Sequence, residues 1–336
     1  MRLLTTSKLE TNMCIKNGVK VAIAAVLALT LQSGFSQAWP SKPVQLVVPY
    51  PPGGVLDNFA RPMAEALSKE LGQPVVIDNR AGANGIIGTT RCAKASADGY
   101  TLCISNGDIM SLNPQLYSKL PYSPKTDLVP VVRMANMVAA IVVSSGVGAK
   151  NLSELAALDK ANPGKVNWGT FGTGSTSHVF LTEYNRVFGT QLTHVPYNGS
   201  APLMQALLAG DVQSAMLAHV AVAPYIETGR LRAIAVMGEK RSDFFPGVQT
   251  ISEQKFAFSG ENWIGLTAPA GTPPAVLERV NLAVNKVLAD PGFRKRSLEA
   301  LGLEPVGGSR DAFAQYLGRE QALWAELISH SKIKLD

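Results

Sequence analysis

An apolar run, Val44 to Val48, leads through Pro49-Tyr50-Pro51-Pro52-Gly53-Gly54 into a segment with an apolar residue at every fourth position. No other stretch restricts the possible folds so strongly. The run reads as a strand buried on both faces, the prolines and glycines as a turn, and the segment beginning near Asp57 as an amphipathic helix. Phe59, Met63, Leu67 and Leu71 form its stripe, and Gly72 stops it. A helix entered through such a turn presents free N–H groups and a partial positive charge, which suits an anion or a carbonyl.

The same design recurs down the chain. Val75 to Ile77 reads as a strand before the glycine-rich loop Gly82 to Gly88, which contains Asn84 and opens a helix. Tyr100 to Ile104 is the next strand, with Ser105 to Asp108 as its exit loop. Met137 to Val143 reads as one strongly apolar strand. Val166 to Trp168 feeds Gly169-Thr170-Phe171-Gly172-Thr173-Gly174-Ser175-Thr176-Ser177-His178, a copy of the opening loop with hydroxyls in place of prolines. Strands alternating with helices predict parallel sheets with helices on both faces, and ligands bind beyond the carboxyl ends of such strands. The loops at 49–57, 82–88 and 105–108 are therefore expected on one rim, facing a second cradle at 169–178. The helical tail, with stripes through Val276 to Leu288 and Phe313 to Leu327, is expected to pack back on the first lobe.

The chain has 336 residues, 46% hydrophobic and 17% charged, enough for two lobes with full cores. Residues 1–38 form a class of their own. Arg2, Lys8, Lys16 and Lys20 precede the apolar run Val21 to Leu31, and a polar segment ends at Ala38, the pattern of a secretory signal peptide cleaved near Ala38. Translation from Met13 gives a leader of more usual length, and an uncleaved anchor is the alternative. Without the leader the net charge falls from +6 to +3, and the remaining Lys and Arg are scattered, which argues against nucleic-acid binding.

Cys14 lies in the leader. Cys92 and Cys103 remain, either as a disulfide or as two buried thiols, and no His or second Cys stands at metal-ligand spacing. Ser175 and His178 raise a hydrolase alternative, but residues 173–177 lack the glycine pattern of a nucleophile elbow, and no orienting carboxylate is evident. The 169–177 loop lacks the lysine of a phosphate loop, and Gly82, Gly85 and Gly88 have the wrong spacing for a dinucleotide fingerprint. Backbone donors without nucleophile, metal or cofactor suit binding.

The phrases YPPGGVLDNFAR, GQPVVIDNRAGANGIIG, DGYTLCIS, NPGKVNWGTFGTGSTSH, THVPYNGSAP and WIGLTAPAGTPPAVLERVN, in this order from about residue 39 onward, resemble the Bug-type (TctC-like) receptors of tripartite tricarboxylate transporters. The resemblance implies a periplasmic-binding-protein-like (type II) Venus flytrap, an α/β fold of two lobes, each with a central sheet flanked by helices. It implies a monomeric periplasmic receptor that hands a small organic carboxylate to membrane permease subunits. On this reading residues 39–138 with 265–336 make lobe 1 and 139–264 lobe 2, joined by two crossing strands. The ligand carboxylate falls to Tyr50, Gly53, Gly54 and Asp57 on one side and to Gly172, Thr173, Gly174, Ser175 and His178 on the other. Asp57 has a plain alternative as a helix cap, and His178 as a tie between its helix and a neighbour.

Four places depart from the family pattern: Leu56, where Thr is usual; Asp108, where a small or hydroxyl residue is usual; Asn198, where Lys is common; and Leu217-Ala218-His219-Val220-Ala221. The rim has lost a cation and gained an anion. An unpaired buried carboxylate is costly, so Asp108 needs a donor. The expected ligand carries a carboxylate and a neutral or cationic group, like an amino acid or a nicotinate-type compound, with Leu56, Asp108, Asn198 and His219 deciding selectivity and Asn84 also expected to bind the ligand.

Overall fold

The computed structural model describes residues 39–336 apart from 239, 259, 261, 332, 334 and 336, so the expected leader lies outside the described residues. The opening unit forms as its pattern predicts. Strand β1 (Val44–Val48) enters helix α1 (Val55–Leu71), which starts two residues earlier than expected and ends at Gly72. Phe59, Met63 and Leu67 are fully buried, each contributing roughly 1.5–3 kcal/mol by leaving water. Then follow β2 (Val75–Asn79), α2 (Ile86–Ala93), β3 (Thr101–Asn106), a π-helical turn over Asp108–Leu112, and α3 (Asn113–Leu116).

The expected strand over Met137 to Val143 is two strands: β4 (Leu128–Met137) and β5 (Ala139–Ser144), with Val138 between them. Next come α4 (Leu152–Ala161), β6 (Asn167–Thr170), α5 (Thr176–Phe188), β7 (Thr193–Pro196), α6 (Ser200–Ala209), β8 (Ser214–Ala218), α7 (His219–Glu227) and β9 (Leu231–Val236). The chain closes with β10 (Asn262–Pro269), α8 (Pro274–Ala289), β11 (Leu303–Pro305) and α9 (Arg310–Ser331).

Among the described residues the strands form two sheets, in the orders β11-β4-β10-β3-β1-β2 and β7-β6-β8-β5-β9. The parallel expectation holds where strands are joined through helices: β1 with β2 and β3, and β6 with β7 and β8. It fails at the strands through which the chain changes sheets. β10 runs antiparallel to β3 and β4, and β5 antiparallel to β8 and β9, so both sheets are mixed. The passage out is at Val138, whose N–H donates to the Gly302 carbonyl and whose carbonyl accepts from the His219 N–H.

Residues 42–336 form one compact unit. Trp168, Phe180, Tyr184, Phe256 and Phe258 make an aromatic cluster on one face of the second sheet. Helix α9 does more than return to the first sheet. Phe313 and Leu317 pack there against Trp263, while Trp324, Leu327 and Ile328 belong to the aromatic cluster of the second sheet. Cys92 on α2 and Cys103 on β3 are joined by a disulfide with Cα atoms 6.3 Å apart, which resolves the open alternative between bridge and thiols.

Candidate functional site

The first cradle is built from the loop between β1 and α1. Gly88 lets this loop approach α2, because a Cβ there would come within 2.6 Å of both the Arg80 carbonyl and Pro49 Cα. Asp57 is 1% exposed and fully engaged: it accepts from the Gly53 N–H at 2.8 Å, from both Arg61 Nε and Nη2 at 2.9 Å, and from Asn79 Nδ2 at 2.9 Å. Burial works to raise its pKa, but the hydrogen bonds from Arg61, Gly53 and Asn79 outweigh it and hold the carboxyl below its ordinary value. Asp57 is the third residue of α1 and not its N-cap, which is Gly54; from there its carboxylate fixes the loop onto the helix. The groups turned to the cavity are Val55 and Leu56, the first two residues of α1, whose N–H groups have no acceptor within the helix.

The second cradle repeats this arrangement. Ser175 is the N-cap of α5: its hydroxyl donates to the Gly172 carbonyl at 2.8 Å and accepts from the His178 N–H at 3.3 Å. Thr176 and Ser177, again the first two helical residues, line the same cavity as Val55 and Leu56. His178 points away from it. Its Nδ1 accepts from the Gly174 N–H at 3.2 Å, and its ring stacks on His194 with centroids 3.9 Å apart and planes 6° apart. His194 Nε2 is 2.7 Å from Thr170 Oγ1. Burial, with His194 alongside, lowers the His178 pKa to about 4, so the imidazole is neutral and Nδ1 stays an acceptor. The serine proton thus goes to a carbonyl and the histidine lone pair to an amide, an arrangement that leaves the two residues uncoupled.

Between the cradles lies Asp108, at the start of the π-helical turn. Its Oδ1 accepts from Thr176 Oγ1 at 3.4 Å, a contact from the first sheet's side to the second's. Burial raises its pKa, and Thr176 opposes this only in part. Beside it, Asn106 Nδ2 donates to the Tyr50 hydroxyl at 3.0 Å, and Asn106 Oδ1 accepts from the Ile109 N–H at 3.2 Å. The Tyr50 phenol is pushed well above its ordinary value by burial and then by Asp108, so it stays protonated as a donor.

The cavity measures about 620 Å³. Of the expected residues it brings together Tyr50, Leu56, Asn84, Asp108, Thr173, Gly174 and Ser175. Asn84 stands at the rim, its Nδ2 donating to Asn113 Oδ1 at 3.0 Å. Gly53, Gly54, Gly172, Asp57 and His178 shape the cradles from behind. Asn198 is exposed on the turn before α6 and lies outside the cavity. His219 also lies outside it, because α7 begins at His219 itself and turns the ring onto Phe244 and Phe245, where it lines a second cavity of about 520 Å³. Residues that the sequence reading passed over line the first cavity as well, including Asn106, Phe171, Thr176, Ser177, Asn262 and Leu335. Asn106 and Thr176 sit next to residues already singled out; Leu335 carried no signal.

Two mixed α/β sheets, with paired helix termini at a shared cavity, are the architecture of a periplasmic-type solute-binding protein. The model of the tripartite tricarboxylate transporter family receptor, TctC, matches residues 59–333, and the chain belongs to that family. It is similar to the structure of periplasmic binding protein BugD, at 32% identity and TM-score 0.72, covering 88% of this chain and 99% of that one. An R. palustris protein with adipate matches at 32% identity and TM-score 0.76, covering 88% and 99%. MatC from Rhodopseudomonas palustris with bound malate matches at 31% identity and TM-score 0.72, covering 86% and 100%.

Proposed function

We propose that this chain is a non-enzymatic periplasmic receptor that closes on one small organic carboxylate and delivers it to the membrane subunits of a tripartite transporter. The observation that carries this reading is the convergence of the first two residues of α1 and of α5 on one cavity. Their amides, reinforced by two helix dipoles, make a preformed clamp for an anion. Similar proteins with adipate and with malate support the ligand class. The lobes are 39–138 with 265–336, and 139–264, and closure about their crossing strands brings contacts from both to the solute. The receptor acts as a monomer.

Asp108 refines the ligand. A half-buried carboxyl whose hydrogen-bond partner among the described residues is one hydroxyl at 3.4 Å calls for a donor from the solute. A molecule bearing one carboxylate and an ammonium, a ring N–H or a hydroxyl satisfies both the amides and Asp108; a tricarboxylate sets charge against charge. Titration calorimetry with amino acids, nicotinate-type acids, dicarboxylates and citrate tests this. A heat response to carboxylates bearing a donor, stronger than to citrate, is expected. Tight citrate binding with no response to zwitterions would overturn the ligand assignment. Turnover of esters or amides abolished by Ser175→Ala would overturn the receptor reading.

A further inference from the structure

Beyond α9, Ile333 packs on the second sheet and Leu335 lines the cavity. Ile333, whose N–H donates to Ser331 Oγ at 3.2 Å, is buried with Trp324, Leu327 and Ile328 in the cluster of the second sheet. Two residues on, the Leu335 N–H donates to the Leu116 carbonyl at 2.9 Å, at the end of α3 on the first sheet's side. The Leu335 side chain then lies in the cavity wall. It rests on Gly174: a Cβ there would meet Leu335 Cδ1 at 2.5 Å and Leu116 Cδ1 at 3.3 Å. Gly174 has φ +80°, so the position excludes a side chain by both conformation and space.

We propose that Leu335 is a specificity-determining residue that limits the size of the carboxylate accepted. Three features support this role. The side chain is fixed at both ends, by its own amide on Leu116 and by packing on the second cradle loop. It rests on Gly174, the residue before the α5 N-cap, and lines the same cavity as Ser175 to Ser177, so its bulk falls on the side of the solute that the second cradle holds. It is also purely apolar, and neighbouring Tyr117, Phe171 and Met216 extend the same kind of wall. Such a wall discriminates by volume, because a larger solute must displace packed atoms while a smaller one leaves a void.

The inference rests on the receptor reading, and its test separates the two. Monocarboxylic acids bearing a 2-amino or 2-hydroxy group, with side chains of increasing length and branching, are titrated by calorimetry into the full chain, Leu335→Ala and Leu335→Phe. Leu335→Ala is expected to gain at least tenfold in affinity for the longest or most branched acids relative to the shortest, and Leu335→Phe to shift preference the opposite way. Three parallel affinity profiles would overturn the role of Leu335 and leave the receptor reading standing. No binding of any of these acids to the wild-type chain would overturn the ligand assignment and, with it, this inference. The opposed signs expected of the two variants exclude a general loss of folding as the cause.

Discussion

Glu320 on α9 is 4% exposed and surrounded by donors: its Oε1 accepts from Trp263 Nε1 at 2.6 Å and from the Tyr316 hydroxyl at 3.4 Å, and its Oε2 lies 2.5 Å from Ser111 Oγ. Burial raises its pKa from the ordinary 4.5 to about 7, although the three hydrogen bonds and Arg133 all act to lower it. A carboxyl raised on folding contributes its full stability below about pH 4.5 and loses it as pH climbs through about 7. At about 1.36 kcal/mol for each pKa unit, the cost of ionising it in place is about 3 kcal/mol. Glu320→Gln keeps the shape and the acceptor for Trp263 but carries no proton to lose. Urea unfolding at pH 5, 6, 7 and 8 should show the variant within about 1 kcal/mol of wild type at the acid end. Its advantage should then widen by about 3 kcal/mol toward pH 8. Parallel pH profiles for the two proteins would refute the argument, because they would place the titrating group elsewhere.

Removing the Ser175 hydroxyl by Ser175→Ala should cost about 1 kcal/mol through loss of the α5 cap and weaken ligand binding by loosening the second cradle; a lowered melting temperature with unchanged affinity would confine the residue to capping. The His178 ring, shifted down to about 4, contributes stability present above pH 6.5 that is lost as pH falls through about 4. Its imidazole resonance should therefore titrate near pH 4 by NMR, with ligand affinity level from pH 8 to 6; a midpoint near 6.5 would contradict the burial of the ring against His194.

Much of this architecture is legible in local pattern. The β1–α1 unit, the stop at Gly72 and the α5 cradle follow from residue spacing and turn chemistry alone, since each is decided within a dozen residues. β4 was not legible: Pro130, Arg133 and Asn136 break its apolar run, and its strand identity comes from pairing with β10, more than a hundred residues away. The direction of β5 and β10 is equally non-local, because it depends on which sheet the chain has just left. Within the site, the glycine-rich loops point to two helix termini, but Gly53, Gly54 and Gly172 stand back from the cavity, which Val55, Thr176 and Ser177 line beside the expected Leu56, Gly174 and Ser175. His219 was read as a rim residue because it follows a strand end; the ring's preference for Phe244 and Phe245 is a tertiary fact.

The paired termini have a consequence for how such a receptor diversifies. A main-chain N–H is supplied by every residue type except proline, so in the proposed clamp the grip on the anion comes from the backbone and not from the identity of the side chains at positions 55, 56, 176 and 177. The clamp is thereby uncoupled from the genetic variation that alters the cavity lining. On the proposed reading, selectivity can drift through Asp108, Asn84 or Leu335 from one solute to another without passing through an intermediate that holds nothing.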